Sequence, residues 1–445
     1  MASSYLTWTP SATPTGSAKK FTFSAWLKFS SENPGQIMVA GSSSSSYCIF
    51  GAYSGGHITL LTYTGYVINF STSRLFRDLN CWYHVVLACD TTQASATDGV
   101  KLYVNGELQT FNLGSVLGES GYTQNTSLRY GTNGELITIG ANSLTSQHYF
   151  NGSMSYVAFV DGQQLTPATF GETDATTGEW KIKTSITPGG TGWGTNGFFI
   201  LKDGNSVTDQ SGNGNDFTVG GGTLTKTEDS PSNVFATLNP LAQTLSGITY
   251  SNGNTISTMT GDVGQRQSIS TLGMPSGKFY MECKLQAVGS TGGSFPYAGI
   301  VAQEKYDADM YVGGNGTGWV SSGDIYNGGS NSSTGVSYTT GDIIGLAVDI
   351  DNSKLYWHKN GTYILSGNPS TGANGYDISA RTAEGTLGFG VSSWNNNGIW
   401  QVNFGNGYFG TTAVSSAGTN VSGIGIFEYD VPTGYTALST KGLNL

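Results

Sequence analysis

Hydrophobic and polar positions alternate with a period of two over much of the chain. Ile344, Leu346, Val348 and Ile350 alternate with Gly345, Ala347 and Asp349, the pattern of a strand with one buried face. Asp351-Asn352-Ser353 interrupts the run, because these side chains bond nearby backbone and favour a turn. Leu355-Tyr356-Trp357 opens a second strand, and Asn360-Gly361 supplies the two residues a type I′ turn needs at positive φ. The arrangement occurs once before. Residues 83–90 alternate likewise, and Val100-Lys101-Leu102-Tyr103-Val104-Asn105-Gly106 repeats strand and turn. Lys-Leu-Tyr and Asn-Gly recur in both copies, so the pattern predicts two β modules with related cores.

In the first module, residues 21–29 alternate aromatic and small side chains, a half-buried strand. Strand-like runs follow at 47–52, 57–63, 66–70, 82–90, 100–104, 136–139 and 154–159. Gly, Asn and Ser clusters separate them, the spacing of a two-sheet antiparallel sandwich. The second module has comparable runs at 277–285, 298–303, 385–391 and 399–405. Between the modules the pattern loosens, although residues 196–201 read as a short strand that packs back on the first sandwich. No sustained helical period occurs. The expected fold is all-β: two antiparallel, jelly-roll-like β-sandwiches over residues 1–175 and 251–445, joined by a Gly-rich, partly structured connector over residues 176–250.

Composition narrows the partners. Charged residues are 11% of the 445, against about 25% in ordinary soluble proteins. The 66 glycines are roughly twice the usual share. Ser, Thr, Asn and Gly take the place of charge, so the surface hydrogen-bonds rather than repels. A formal net charge of −10 without a basic cluster argues against nucleic acid, which demands phosphate-neutralising Lys and Arg. No apolar run approaches the roughly 20 residues that cross a bilayer, so no membrane insertion is expected. The start, Met1 to Trp8, has neither a basic nor an apolar leader, and no secretory signal is expected. Cys48, Cys81, Cys89 and Cys283 contain no Cys-x-x-Cys and read as buried free thiols.

Catalytic patterns are missing from the sequence. A jelly-roll glycosidase places carboxylates together on one strand. The nearest cluster, Glu304-Lys305-Tyr306-Asp307-Ala308-Asp309, has another spacing and a turn-like composition. No Gly-x-Ser-x-Gly elbow, His-Glu-x-x-His or phosphate-binding Gly-x-x-x-x-Gly-Lys occurs. His84 and His358 sit in strands and read as structural; no enzyme activity is expected. Asp209, Ser211 and Asn213 place oxygens at alternating positions, as calcium loops do, but position twelve is Gly220 instead of the bidentate Glu. A polar turn is the favoured reading, with calcium the one cofactor left open.

Recognition remains. Aromatic faces beside amides and carboxylates hold neutral polar ligands such as glycans, the ring stacking while the polar groups take hydroxyls. Tyr306, Asp309, Trp319, Tyr326, Trp394 and Asn395 lie in or beside such Gly- and Asn-rich stretches and form the expected ligand-binding set. Trp26, Trp82, Trp357 and Trp400 lie in strands and are expected in the core.

Phe23-Ser24-Ala25-Trp26-Leu27-Lys28, Trp82-Tyr83-His84-Val85-Val86, the Asn105-Gly106 turn, Ile137-Thr138-Ile139-Gly140 and Phe159-Val160-Asp161-Gly162 come in the order of the laminin-G-like, concanavalin-A-like jelly rolls. Roughly the first 170 residues resemble that family, in the version common in tailed-phage virion proteins. Gly277-Lys278-Phe279-Tyr280-Met281-Glu282, Gly341-Asp342-Ile343-Ile344-Gly345-Leu346, the Asn360-Gly361 turn and Val402-Asn403-Phe404-Gly405 resemble a SPRY domain, a protein-recognition sandwich, over residues 270–440. Gly- and Asn-rich inserts between the shared strands depart from that family, so no partner of other SPRY domains carries over. With the low charge and the missing signal, these resemblances imply a non-enzymatic phage surface protein, a fibre or capsid-decoration subunit at the virion surface. Its implied partners are other virion proteins and a host-surface glycan or protein; homo-oligomerisation stays open. A purely structural, cementing subunit is the alternative, and a polysaccharide-degrading enzyme the third reading.

Overall fold

The computed structural model describes residues 4–53, 55–62, 68–113, 122–202, 204, 206–242, 246–260, 265–288, 295–303, 315–394 and 398–445. They form two compact units that divide between Lys226 and Thr227. Each is a β-sandwich; helix is confined to short turns.

In the first unit the strands are β1 (Tyr5–Trp8), β2 (Lys20–Phe29), β3 (Gly35–Ser43), β4 (Ser46–Tyr53), β5 (His57–Thr62), β6 (Asn69–Thr72), β7 (Trp82–Asp90), β8 (Val100–Val104), β9 (Glu107–Leu108), β10 (Phe111–Leu113), β11 (Leu136–Ile139), β12 (Gly152–Asp161), β13 (Gly171–Thr173), β14 (Trp180–Ile182), β15 (Phe198–Ile200) and β16 (Thr218–Gly221). One sheet runs β10-β6-β5-β4-β3-β11-β1-β16 and the other β15-β12-β2-β7-β8-β9, with β13 and β14 forming a separate hairpin. Phe21, Phe23, Phe50, Phe70 and Phe159 fill the space between the two sheets.

The second unit contains β17 (Ile248–Ser251), β18 (Ile256–Met259), β19 (Gln265–Ile269), β20 (Lys278–Ala287), β21 (Phe295–Ala302), β22 (Gly316–Val320), β23 (Asp324–Asn327), β24 (Ser330–Ser333), β25 (Ile343–Asp349), β26 (Lys354–Lys359), β27 (Thr362–Tyr363), β28 (Tyr376–Asp377), β29 (Leu387–Trp394) and β30 (Gly398–Asn403). Its sheets run β17-β18-β30-β20-β25-β26-β27 and β19-β29-β21-β22-β23-β24. The core between them holds Met281, Leu346, Trp357, Phe389 and Trp400.

The repeated hairpin is real and extends to a third strand. Lys20 opposes Asp90 in β2–β7, and Lys278 opposes Asp349 in β20–β25. Both pairs close to 2.9 Å over a nearly buried carboxylate. At the other end Asn105 and Asn360 have φ of 49°, followed by Gly106 and Gly361 at 83° and 85°, the two positive values of a type I′ turn. Each Asn also bonds the neighbouring strand twice. Asn105 N–H donates to His84 O and its Oδ1 accepts from His84 N; Asn360 does the same with Ile343. The second shared motif does not survive. With the Asn-Gly turns aligned, Leu102 (opposite Leu87) matches Trp357 (opposite Leu346), so Lys-Leu-Tyr is slipped by two residues between the copies. A two-residue slip keeps every side chain on its face, and alternation cannot detect it.

Two further expectations are corrected. The strands of the repeat were expected to bury one face, but both faces of β2, β7, β20 and β25 are covered. In the first unit Phe170, Trp193 and Phe199 pack on the outer face with Val86, Ala158 and Val160. In the second, Phe427, Val431 and Tyr435 pack on Tyr280, Ala347 and Tyr356. The 176–250 connector is also divided between the units. β15 pairs with β12 and β16 with β1, while Ala236 N bonds Leu438 O and Leu238 bridges Ser270 in the second unit. Single apolar anchors such as Phe217 and Phe235 hold these segments, too sparse to register as periodicity.

The four cysteines are free, three buried and Cys81 partly so.

Candidate functional site

The two strand histidines are locked into the folded interior. His84 is stacked on Trp26, ring centroids 4.8 Å apart, and Trp180 lies nearly parallel to it with its centroid 5.9 Å away. Trp180 Nε1–H donates to His84 Nδ1 at 2.9 Å. Indole nitrogen only donates, so the neutral imidazole carries its proton on Nε2, which donates to Ser24 Oγ at 2.9 Å. A general base must accept from the serine; this contact runs the other way. His358 repeats the logic. Gly361 N–H donates to its Nδ1 at 3.1 Å, Nε2–H donates to Tyr280 Oη at 2.6 Å, and the Tyr280 hydroxyl donates to Glu282 Oε1 at 3.0 Å. Burial lowers both histidines from 6.5 to about 3. Burial likewise raises Glu282 to about 7, against the pull of backbone donors Glu428 N and Tyr429 N and the Tyr280 hydroxyl.

The calcium candidates are tied into their own loop. The Asp209 carboxylate accepts from Phe199 N, Ser211 N, Ser211 Oγ and Asn215 N at 2.7 to 3.0 Å. Those four donors fill the lone pairs an ion would use. Asn213 turns its Nδ2 to the carbonyls of Gly194 and Gly197. Among the described residues no three His, Cys, Asp or Glu side chains gather as metal ligands. Asp209→Ala is expected to cost the first unit about 3 kcal/mol, as several buried donors lose their acceptor. EDTA is expected to leave its melting temperature unchanged; calorimetry with and without chelator checks both.

The expected ligand-binding residues do not form one group. Trp319 is fully buried in the core, its Nε1–H bonded to Val336 O and its ring edge-on to Tyr338. It pairs with Ala298 and Ile325, both core residues; the flanking glycines made a core strand resemble a loop. Tyr326, one strand over, faces outward and meets Tyr297 edge-on at 5.7 Å. Trp394 ends β29 opposite Gln265 and Phe295. Tyr306, Asp309 and Asn395 lie outside the described residues.

The outer face of this six-stranded sheet has a feature that the sequence reading missed. Gly299 opposes Gly390 on one side and Gly318 on the other. One step along, Val301 lies between Gly388 and Gly316. Five glycines thus share one face of three adjacent central strands. Glycine in a strand interior costs stability and marks close approach of a ligand or another stretch of backbone; all five are buried, and Ser270 and Gln303 of the same chain lie over Gly388. Toward the Trp394 end the next row is Gln267, Ser392, Tyr297 and Val320. Tyr297 and Val320 pack with Tyr326, while Ile269 and Val301 pack with Ala242, both groups separate from the core. Phe295 at the end is 39% exposed. Gly-x-Gly recurs in the sequence at 316–318, in what reads as a Gly-rich insert, and at 388–390, inside the strand-like run 385–391.

Residues 1–170 match a family model described as the concanavalin A-like lectin/glucanases superfamily. No curated protein matches the chain. Similar solved structures include the SPRY domain of human HERC1, at 18% identity over 37% of this chain and 96% of that one, with a TM-score of 0.31. The native heptameric SAP-like pentraxin of Limulus polyphemus is 15% identical over 37% of this chain and 72% of its own, with a TM-score of 0.27. A human SPRY domain is 16% identical over 35% and 94%, with a TM-score of 0.26.

Proposed function

We propose that the chain is a non-enzymatic surface protein of a tailed-phage particle, a fibre or capsid-decoration subunit that binds host-surface glycan. The observation that carries the reading is a pair of partly exposed aromatic rings, Phe295 at the end and Tyr326 on the outer side of the second unit's six-stranded sheet. Aromatic faces stack on sugar rings, and uncharged amide and hydroxyl groups take their hydroxyls. The match of the first 170 residues to a lectin and glucanase superfamily supports carbohydrate binding in general. The low charge of the chain supports an adhesive surface.

Tyr326→Ala and Phe295→Ala are each expected to weaken binding to host cells or their extracted polysaccharide by about 2 kcal/mol, near thirtyfold in Kd. The fold should be retained, because both rings lie outside the core. Unchanged binding by both variants moves the site elsewhere. Trp319→Ala is the contrasting control, expected to lose binding only by unfolding the unit.

A cementing role has one observation in its favour. β24 presents four exposed residues, Ser330 to Ser333, on a sheet edge without Lys or Pro to block strand addition. Cryo-electron microscopy of the particle separates the readings: a chain enclosed by neighbours on every side is not an adhesin.

A further inference from the structure

In the first unit the turn at 166–169 and the segment that follows β14 enclose a cleft of about 440 Å³, within the roughly 300–1,000 Å³ of small-molecule sites. Thr166, Ala168 and Thr169 line it from one side, and Lys183, Ser185 and Thr187 from the other. Both sides are anchored from beneath. Phe170 and Ile186 pack on the outer face of the sandwich, and Lys183 N–H donates to Phe170 O. The lining itself is open to solvent: Thr166, Ala168, Ser185 and Thr187 are exposed, Thr169 and Lys183 half-buried. None of the four hydroxyls bonds another described residue. Lys183 Nζ donates to Ala168 O at 2.6 Å, which fixes the ammonium and leaves two of its three donors for a ligand. Lys20, Lys181, Lys278 and Lys359 each meet a carboxylate. Lys183 meets none among the described residues, and no Asp, Glu or aromatic ring lines the cleft.

A cleft with one methyl group and no ring in its lining does not hold an apolar ligand. A fixed ammonium among hydroxyls matches a carboxylate carried on a hydroxyl-rich ring, because ionised partners make the stronger hydrogen bonds and hydroxyls both donate and accept. We propose that this cleft is a subsite for an acidic sugar, a uronic or sialic acid residue. Its carboxylate meets Lys183, and its hydroxyls meet Thr166, Thr169, Ser185 and Thr187. This rests on the glycan-binding reading above and adds to it a charged contact on the first unit, whereas Phe295 and Tyr326 belong to the second. A chain of net charge −10 repels anions at long range, but that repulsion is screened over about 8 Å at physiological salt. An anion is therefore held only where a cation touches it, as Lys183 can.

The test uses the full chain, titrated calorimetrically against matched pairs of oligosaccharides: sialylated with asialo, and uronic-acid with neutral. The wild type is expected to bind the acidic member about tenfold more tightly, the size of one charge-assisted hydrogen bond. Lys183→Gln is expected to abolish that preference and Lys183→Arg to keep it, both with the melting temperature of the first unit unchanged. Tyr326→Ala is expected to weaken both members alike and leave the preference in place. Should Lys183→Gln melt lower, Ser185→Ala combined with Thr187→Ala decides, since both residues are exposed. Acidic binding is then expected to fall about fivefold, and unchanged binding overturns the subsite. A preference that survives Lys183→Gln puts the anion elsewhere and overturns it too. Inorganic sulfate that displaces the acidic sugar at equal concentration marks a plain anion site and overturns the sugar assignment. Neutral binding without an acidic preference in the wild type overturns the subsite and leaves glycan recognition standing. A wild type that binds neither member of any pair removes the broader reading itself, and the subsite with it.

Discussion

Lowering the pH from 6.5 to 4.5 is expected to loosen the first unit and leave the second almost unchanged. His84 titrates near 3 when folded and at 6.5 when unfolded, so between these values the unfolded chain binds the extra proton. Its stabilising contribution is complete above pH 6.5 and is lost as the pH falls. Across the two-unit window the loss is about 2 kcal/mol. The physical reason is a donor conflict as well as burial: a proton on Nδ1 would face the Trp180 indole N–H. His358 loses the same amount in the second unit. Glu282, however, is raised from 4.5 to about 7, so there the folded state binds the extra proton. Its contribution is present at low pH and lost as the pH rises through 7, a gain of about 2 kcal/mol on acidification. The two opposed groups nearly cancel. Asp90, which burial pushes up but bonds from Thr92, Gln93 and Lys20 hold at about 2, acts below this window.

Hydrogen exchange of the full chain at the two pH values, corrected for intrinsic rates, reads both units at once. Protection of β7 is expected to fall roughly thirtyfold or more, and that of β25 to change little. Glu282→Gln is expected to make the second unit as acid-sensitive as the first. Equal losses in both wild-type units would refute the account.

Gly345→Ala is expected to destabilise the second unit by about 3 kcal/mol, with its melting midpoint falling by roughly 10 °C. Backbone reasoning alone points the other way. Gly345 sits inside β25 without positive φ, where alanine is normally the better residue. The obstacle is the His358 imidazole, directly opposite in the register and lying where the new methyl group would go. Tyr280 and Gly361 hold that ring by both nitrogens, so it has no free rotamer to move into. His358→Ala removes the obstacle, and the double variant should be less destabilised than the sum of the singles by at least about 1 kcal/mol. Chemical denaturation followed at the second unit measures the cycle. Additivity would place the cost elsewhere.

Much of the fold was legible because its signals are local. The alternation at 83–90 and 342–350 became β7 and β25, and Asn105-Gly106 and Asn360-Gly361 became turns with two positive φ values. The strand expected at 196–201 packs on the first sandwich through β15. The site was legible in part. Tyr326, expected in or beside a loop, lies in β23 and packs with Tyr297 and Val320 apart from the core. Trp319 was misplaced, since glycine neighbours denote a loop in most contexts and here denote a floor on the opposite face of the same strand. Gln267, Ser392, Phe295 and Tyr297 went unnoticed because no run of sequence joins them. They meet only through the pairing of β19, β29 and β21.

The glycine rows show the same division. Period-two alternation and turn chemistry act between residues a few positions apart, and the sequence by itself determined the strands, the hairpins and the all-β class. Alternation is unchanged by a two-residue slip, so it left the register open, and with it whether Lys-Leu-Tyr or Asn-Gly marks the true correspondence. It says which residues share a face but not what that face meets. The tertiary structure decided that: segments 170–199 and 427–437 cover the repeated three-strand units. It also brought Gly388, Gly390, Gly299, Gly316 and Gly318 from three separate strands to one buried sheet face. Strand order is set by non-local burial, and that is where the candidate site arises.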